Sequence, residues 1–482
     1  MGNGTKVVSN FLWRFFERFG AQLLNIVVGI ILARKLGPGP AGQIAVVMAV
    51  INILKVFADS GMANALIQKK DPDDLDFSSV FFFNLAFSFI LYIGLFFAAP
   101  AIARFYQEES YVAILRVLGL LVIISGLYNV QLAYVSKTMQ FKRFFFATLG
   151  GTVFSGVLSI AMVYLGCGIW SLVGLQLSNF AVNTLILWFT VNWRPKRMFS
   201  LQRLKGLLSY GWKLLAASFL DTLYLQVYSL IIGKRYPKEE LGQFDKGRNW
   251  PDQITTSINA SLDSVLLPVL SAEQDNVHAL REMTRRAIKT SSFIMMPMMA
   301  GLAACAMPLV RLLLKEQWLP CVPFMQIFCA IYAFYPLHTA NLNAIKAMGR
   351  SDIFLKLEVI KKLVETSVLL FTLHYGVLAM ALGQLFCDIL AQLINAWPNK
   401  RLLNYPYWTQ LKDLLPCLLL SLGMAGCVLA VQLLGLNDLL TLLIQVPLGA
   451  AIYLLGATLL KLDSLDFIIT TAKEILRKRK AG

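Results

Sequence analysis

Apolar runs of roughly 18 to 25 residues follow one another along the chain, and each is long enough as a helix to cross a hydrocarbon core of about 30 Å. They fall near 10–33, 41–67, 78–103, 111–136, 143–165 and 168–191, then 206–233, 250–270, 287–314, 321–345, 353–373 and 376–396, with two more near 412–435 and 438–460. About fourteen spans result, the least apolar being 250–270 and 353–373. The runs are continuous rather than alternating, and lipid tolerates no unpaired backbone, so helices are required and barrel strands excluded. Arg14, Glu17 and Arg18 interrupt the first run, which therefore lacks the clean apolar centre of a cleavable signal peptide.

Composition agrees: 57% hydrophobic and 15% charged residues give more apolar side chain than a soluble core could hide. The predicted fold class is an all-α integral membrane protein. With the N-terminus inside, the inner loops and both termini collect about 25 basic residues against about 9 outside, which places both termini in the cytoplasm. The expected organisation is a six-helix lobe over 1–192, a basic cytoplasmic linker over 193–205 and a second six-helix lobe over 206–399. A helix pair over 412–460 and a basic amphipathic cytoplasmic tail over 461–482 follow. The net charge of +17 mostly reflects this inside bias and attraction to anionic headgroups, so nucleic acid is not implied.

An internal echo supports the duplication. ILARKLGPGPAGQ from Ile31 is matched about two hundred positions on by IIGKRYPKEELGQ from Ile231, each in the first loop of its half. Gly42-Gln43 matches Gly242-Gln243, and the basic pair Arg34-Lys35 matches Lys234-Arg235. These loops, the second running on to Arg248, are the two places where basic charge lies outside against the general bias. Arg34, Lys35, Lys234, Arg235 and Arg248 are accordingly candidate gate residues, with the echoed loops expected to meet over a central cleft.

Polar residues inside the spans are expensive and so mark cavities or partners. Arg14, Arg18, Gln22, Asn25 and Gly29 form a stripe on the first span, and Asn52, Lys55 and Asp59 form one on the second. Lys213, Asp221, Tyr224 and Tyr228 share a face of the seventh span, Asp252, Thr256, Asn259 and Asp263 one of the eighth, and Gln384, Asp388, Gln392 and Asn395 one of the twelfth. The candidate binding set is Arg14, Arg18, Asn25, Asn52, Lys55, Lys213, Tyr224, Tyr228 and Gln384. Asp59, Asp221, Asp252, Asp263 and Asp388 are candidates for coupling to H+ or Na+. Lys55 and Asp59 could instead neutralise each other along one helix, as could Glu358, Lys361, Lys362 and Glu365. The first-span cluster keeps a net positive charge, which favours an anionic cargo.

Little supports catalysis. His278, His338 and His374 belong to no HExxH motif, no P-loop is present, and His338 reads as a hydrogen-bonded core residue. The seven cysteines lack CxxC spacing and read as small core thiols, so neither a metal site nor a cofactor is expected. The tail 464–480 has the apolar stripe and basic flank of a helix lying in the membrane interface.

The stretches ILARKLGPGPAGQIAVV, FADSGMANALIQKKD (57–71), LAYVSKTMQFKRFFFATLGG (132–151) and GIWSLVGLQL (168–177) resemble polysaccharide exporters of the multidrug/oligosaccharidyl-lipid/polysaccharide (MOP) superfamily. SYGWKLLAASF (209–219), LLPVLS around Pro268 and NAIKAMGRSD (343–352) continue the likeness, which is nearest to colanic acid and teichuronic acid exporters. The resemblance implies two six-helix lobes related by a pseudo-two-fold axis, plus a helix pair like that of the lipid II flippase. It implies an alternating-access flippase carrying an undecaprenyl-pyrophosphate-linked oligosaccharide to the outer leaflet of a bacterial inner membrane, with a polysaccharide polymerase and glycosyltransferases as partners. It also places Arg14, Arg18 and Asp59 on helices where the lipid II flippase has essential arginines and an acid. The eighth span departs from that pattern, carrying Arg248 at its mouth and Asp252 and Asp263 inside, which points to ion coupling. The alternatives are an ion-coupled multidrug exporter, which would want a net acidic cleft, and a membrane polysaccharide polymerase or O-acyltransferase, which would want a large outer loop or a catalytic histidine.

Overall fold

The computed structural model describes residues 3–59, 61–69, 72–138, 140–273, 276–468 and 470, with side chains from residue 20 onward at all but scattered positions that include Lys213 and Asp263. The described residues are helical throughout, with no strand. All fourteen predicted runs fall on helices. In order these are α1 (Asn3–Leu36), α2 (Pro38–Asp59), α3 (Met62–Gln68), α4 (Asp74–Tyr106), α5 (Ser110–Lys137), α6 (Phe141–Tyr164), α7 (Trp170–Thr190) and α8 (Leu201–Arg235). Then come α9 (Lys238–Ala272), α10 (Val277–Leu314), α11 (Cys321–Ala333), α12 (Tyr335–Ala347), α13 (Ser351–Thr372), α14 (Val377–Leu402), α15 (Tyr407–Ala430) and α16 (Asp438–Leu459). Two predicted spans are each built from two helices, α2 with α3 and α11 with α12. Ten stretches among the described residues are long and apolar enough to cross a membrane, against the fourteen expected. Of the other four, α13 carries the charge cluster Glu358, Lys361, Lys362 and Glu365, which lowers its hydropathy, while α1, α8 and α9 include side chains outside the described residues.

The chain divides into two compact units, Met1–Gly242 and Gln243–Gly482. The first unit therefore takes in α8 and the opening turn of α9, whereas the lobe boundary expected at 206 follows the internal repeat. In this unit α2 packs on α5 and α8, α4 on α5, and α6 on α7 and α1. An aromatic-rich core of Phe77, Phe81, Phe144 and Trp193 gathers the ends of α3, α4, α5 and α6. Segment 192–200 is tied to the start of α4. Ser78 and Ser79 accept from the backbone N–H groups of Lys196 and Ser200 at 3.0 and 2.9 Å, and Trp193 donates to Asp74 at 3.2 Å. Asp73 and Asp76 cap α4 reciprocally, and the fully buried Asp76 carboxylate is met by Lys69 at 2.5 Å and Arg203 at 3.6 Å. The basic linker is thus a docked segment with acidic partners.

In the second unit α10 is the central helix, packed on α11, α12, α15 and α16, and α13 pairs with α14. Arg285 of α10 grips Asp413 of α15 through two hydrogen bonds of 2.8 and 2.6 Å, and Lys289 reaches Asp463 beyond α16 at 2.8 Å. Five cysteines are buried as expected, while Cys167 and Cys427 are exposed. Most of the amphipathic tail lies outside the described residues, which end in a helical turn over 463–468.

Candidate functional site

A cavity of about 370 Å³ opens in the first unit between α2, α5 and α8. Asn52, Lys55, Val56 and Asp59 of α2 supply one wall, Ser125 and Asn129 of α5 a second, and Thr222, Leu225 and Gln226 of α8 the third. Spacings of three and four along α2 put its three polar groups on one side of the helix. The Lys55 ammonium stands 4.3 Å from the centre of the Phe180 ring on α7, so its charge is held against an aromatic face. One cation, one carboxylate and five neutral hydrogen-bonding side chains converge on a space the size of a small ligand pocket.

The predicted stripe on α2 is therefore a cavity wall. On α8 the wall is the adjacent face: Thr222 and Gln226 line the cavity, while Asp221 is exposed, Tyr224 half-buried and Tyr228 buried. Ser125 and Asn129 are cavity residues that the sequence reading does not include, and their i, i+4 spacing on α5 is a weak signal beside Arg116 and Gln131 on the same helix. Asn25 is exposed on α1. Arg14 and Arg18 fall on α1, and their side chains, like those of Lys213 and Asp263, lie outside the described residues.

The echoed loops do meet within the first unit, through their glycines. A Cβ added to Gly42 would lie 1.8 Å from the carbonyl oxygen of Lys238, and one added to Gly242 would lie 2.1 Å from that of Pro38. Each glycine thus packs on the residue four before its counterpart, so the first turns of α2 and α9 cross backbone to backbone. Any side chain at either glycine would force them apart. The Glu239 carboxylate lies over Gly39 in the first turn of α2, where a helix N-terminus favours negative charge.

Around this seam Lys238 meets Glu108, in the loop between α4 and α5, at 3.1 Å, and Ser110 donates to the same carboxylate at 2.9 Å. Partial burial works to raise the Glu108 carboxyl, but the bonds from Lys238 and Ser110, the Lys238 charge and a further bond from Gln43 hold it below its ordinary value. The basic pairs point elsewhere. Lys35 sits 4.6 Å over the Tyr164 ring, Lys234 donates to the carbonyl oxygen of Phe105, and Arg34 and Arg235 are exposed.

The second unit repeats part of this arrangement. Gln243, the echo of Gln43, donates at 2.7 Å to the carbonyl of Gln317, in the loop between α10 and α11. Gln107 and Lys315, where α4 and α10 end, share an unusual positive φ. Arg248, the candidate gate residue that belongs to the second unit, stands beside Tyr332 and Asp252, and Tyr332 donates to Asp252 at 3.1 Å.

A second polar group fills the space between α12, α14 and α15. His338 Nε2 is 3.1 Å from Asp388 Oδ1, Gln392 donates to Asp388 Oδ2 at 2.8 Å, and Tyr407 donates to Gln392 at 3.2 Å. Asn341, Asn399 and Gln410 form an adjoining buried amide cluster. Gln384 is half-buried one turn before Asp388. No group of three or more histidine, cysteine or acidic side chains among the described residues could hold a metal ion.

The family profile described as polysaccharide biosynthesis protein matches residues 31–323. The succinoglycan biosynthesis transport protein ExoT of Rhizobium meliloti is 22% identical over 79% of this chain and 77% of its own length. The lipopolysaccharide biosynthesis protein WzxC of Escherichia coli is 22% identical over 81% and 79%. The teichuronic acid biosynthesis protein TuaB of Bacillus subtilis is 24% identical over 62% of each chain. Among solved structures, the lipid II flippase MurJ in an inward closed conformation superposes with a TM-score of 0.74 at 17% identity, covering 95% of this chain and all of that one. An inward-facing multidrug resistance transporter of the MOP superfamily gives 0.62 at 16% identity, covering 81% and 96%. The fold is that of MOP-superfamily transporters, and the chain belongs to the polysaccharide biosynthesis protein family of multi-pass membrane proteins.

Proposed function

We propose that the chain is a flippase that carries an undecaprenyl-pyrophosphate-linked oligosaccharide from the cytoplasmic to the outer leaflet of a bacterial inner membrane, with both termini in the cytoplasm. The observation that carries this reading is the first-unit cavity, where a lysine stands among amide and hydroxyl groups inside an apolar bundle. Cation and amides match the two halves of such a head group: phosphate oxygens take the ammonium, and sugar hydroxyls take Asn52, Asn129, Gln226, Ser125 and Thr222. Arg14, Arg18 and Lys213 would extend the cationic path, with Asn25, Tyr224, Tyr228 and Gln384 along the sugar. The lipid tail would remain in the bilayer while the head group crosses. Coupling to H+ or Na+ would act through carboxylates among Asp59, Asp221, Asp252, Asp263 and Asp388. A polysaccharide polymerase and glycosyltransferases would consume and supply the cargo.

The seam between α2 and α9 would be the outer gate of an alternating-access cycle, with the glycine crossing as its closed contact and the basic residues Arg34, Lys35, Lys234 and Arg235 of the same echoed loops, with Arg248 further along α9, receiving the phosphates as the gate opens. In a host deleted for the gene, Lys55→Ala and Arg18→Ala should each lower surface polysaccharide at least about tenfold at unchanged protein level, with Lys55→Arg retaining more output than Lys55→Ala. Normal polymer from Lys55→Ala would sink the cationic-grip reading. A disulfide placed between cysteines at Gly37 and Pro237 should block export and release it on reduction.

A further inference from the structure

The histidine between α12 and α14 is held so that it can carry either one ring proton or two. His338 is 9% exposed, and its partners are all side chains of the second unit. Nε2 lies 3.1 Å from Asp388 Oδ1, and Nδ1 lies 2.8 Å from the amide nitrogen of Asn395. Since an amide N–H donates, Nδ1 accepts, and the ring's single proton sits on Nε2 and points at the carboxylate. The other Asp388 oxygen is taken by Gln392, itself fixed by Tyr407.

One atom of this network is left over. Asn395 is 1% exposed, and its amide oxygen is buried with no hydrogen-bond partner among the described residues. A half-turn of that amide would present the oxygen to Nδ1, the partner that a second ring proton requires. The imidazole is thus fully hydrogen-bonded in both protonation states. No backbone movement is needed, and one amide atom is unpartnered in either state. Adding a proton takes the His338–Asp388 pair from a single net negative charge to none, and a bilayer interior responds strongly to such a change.

Other titratable groups stand further out. Tyr335 on α12 has its ring centre 6.1 Å from that of His338, and on α11 Tyr332 meets Tyr335 edge to face while bonded to Asp252 and beside Arg248 of α9. On α13 Glu365 pairs with Lys362, and both Glu365 and Asp388 act on the Cys387 thiol of α14. The buried residues of α10, which also packs on α12, include no charged side chain, and α15 contributes Tyr407. Among the described residues the ion pair of Asp388 is with His338.

We propose that His338, with Asp388 as its counter-ion and Asn395 as the amide that turns, is an internal proton-binding site whose occupancy drives the transport cycle. The coupling half of this rests on the flippase reading, and the proton-binding half does not. The chain has three histidines, so full-length protein labelled with 15N-histidine in lipid nanodiscs gives few imidazole signals, assigned with His338→Gln. In spectra recorded from about pH 8 to about pH 5, the expected result is a second form of the His338 ring, protonated at both nitrogens, beside the form protonated at Nε2 alone, with Asp388→Asn changing the ratio of the two. A single protonation state across this range in the wild type would overturn the proposal, whatever the cargo. For coupling, His338→Gln should lower polymer output at least about tenfold at wild-type protein level, and Asp388→Asn serves if that variant does not accumulate. Undiminished export from an accumulated variant would overturn the coupling role. If the host deleted for the gene still made normal polymer while His338 still bound a second ring proton, the flippase reading would fail and the proton site would stand.

Discussion

The first-unit cavity and the α12–α14–α15 layer of the second unit hold similar residues, chiefly asparagine, glutamine, one cation-forming side chain and one acid, yet they use them differently. In the cavity the polar groups of three helices line one space, and Lys55 has an aromatic face beside it. In the second unit the polar groups point at one another: Asn341 donates to Gln410 at 2.8 Å and accepts from Asn399 at 2.7 Å and from Gln410 at 3.1 Å. Polarity within a membrane bundle thus has two meanings. Groups facing a space are available to a ligand, whereas groups facing each other hold helices together and exclude one.

The sharpest way to break that comparison is a matched pair of substitutions. Asn341→Leu removes a shared partner of Gln410 and Asn399 at a site 1% exposed, and should cost about 2–3 kcal/mol, toward the upper end for buried unpaired groups. Asn52→Leu, at the cavity wall, should change stability by no more than about 0.5 kcal/mol while impairing export. Denaturation midpoints of the two purified proteins decide it. Equal losses would mean that the cavity residues are structural. Next in size is the seam: Gly42→Val puts a side chain where a backbone carbonyl lies 1.8 Å from the added Cβ, and should destabilise the closed crossing by about 1–3 kcal/mol. Faster thiol labelling of Glu239→Cys in that background would report the opening. Gly94→Val on α4, where an added Cβ meets nothing within 4 Å, should leave labelling unchanged.

What was legible in the sequence follows from the physics of lipid. Polar residues are so costly in a span that Asn52, Lys55 and Asp59 stood out at their helical spacing, and the structure puts all three on one wall. A period of 3.6 residues does not say which of two neighbouring polar stripes faces a cavity: on α8 it marks Asp221 and Tyr224, while Thr222 and Gln226 line this one. Ser125 hydrogen-bonds its own helix, to Val122 at 2.7 Å, and a serine in an apolar helix gives little signal. The pairing of His338 with Asp388 joins residues fifty positions apart on different helices, a contact that local periodicity cannot encode. The echoed glycines were legible as a repeat. Their role as a crossing depends on how closely two helix starts approach, which only the coordinates give.

The smallest effect separates the two echoed glutamines. Gln43 serves a carboxylate, Glu108, whereas Gln243 serves a backbone carbonyl that does not titrate. Because the Glu108 carboxyl is held below its ordinary value of about 4.3, its contacts with Lys238, Ser110 and Gln43 stabilise the fold above that value and are lost as pH falls through the lower folded one. Lys238 and Glu108 are both partly exposed, 42% and 30%, so solvent screening keeps the contribution under about 1 kcal/mol. Glu108→Gln should therefore lower the unfolding temperature slightly at neutral pH, with the gap to wild type closing as the medium is acidified below about pH 4. Gln243→Leu should show a gap that acid leaves unchanged, because neither member of its hydrogen bond takes up a proton. A gap for Glu108→Gln that persisted in acid would mean that the contact acts through shape, as its counterpart in the second unit does, and would remove this titrating difference between the two glutamine contacts.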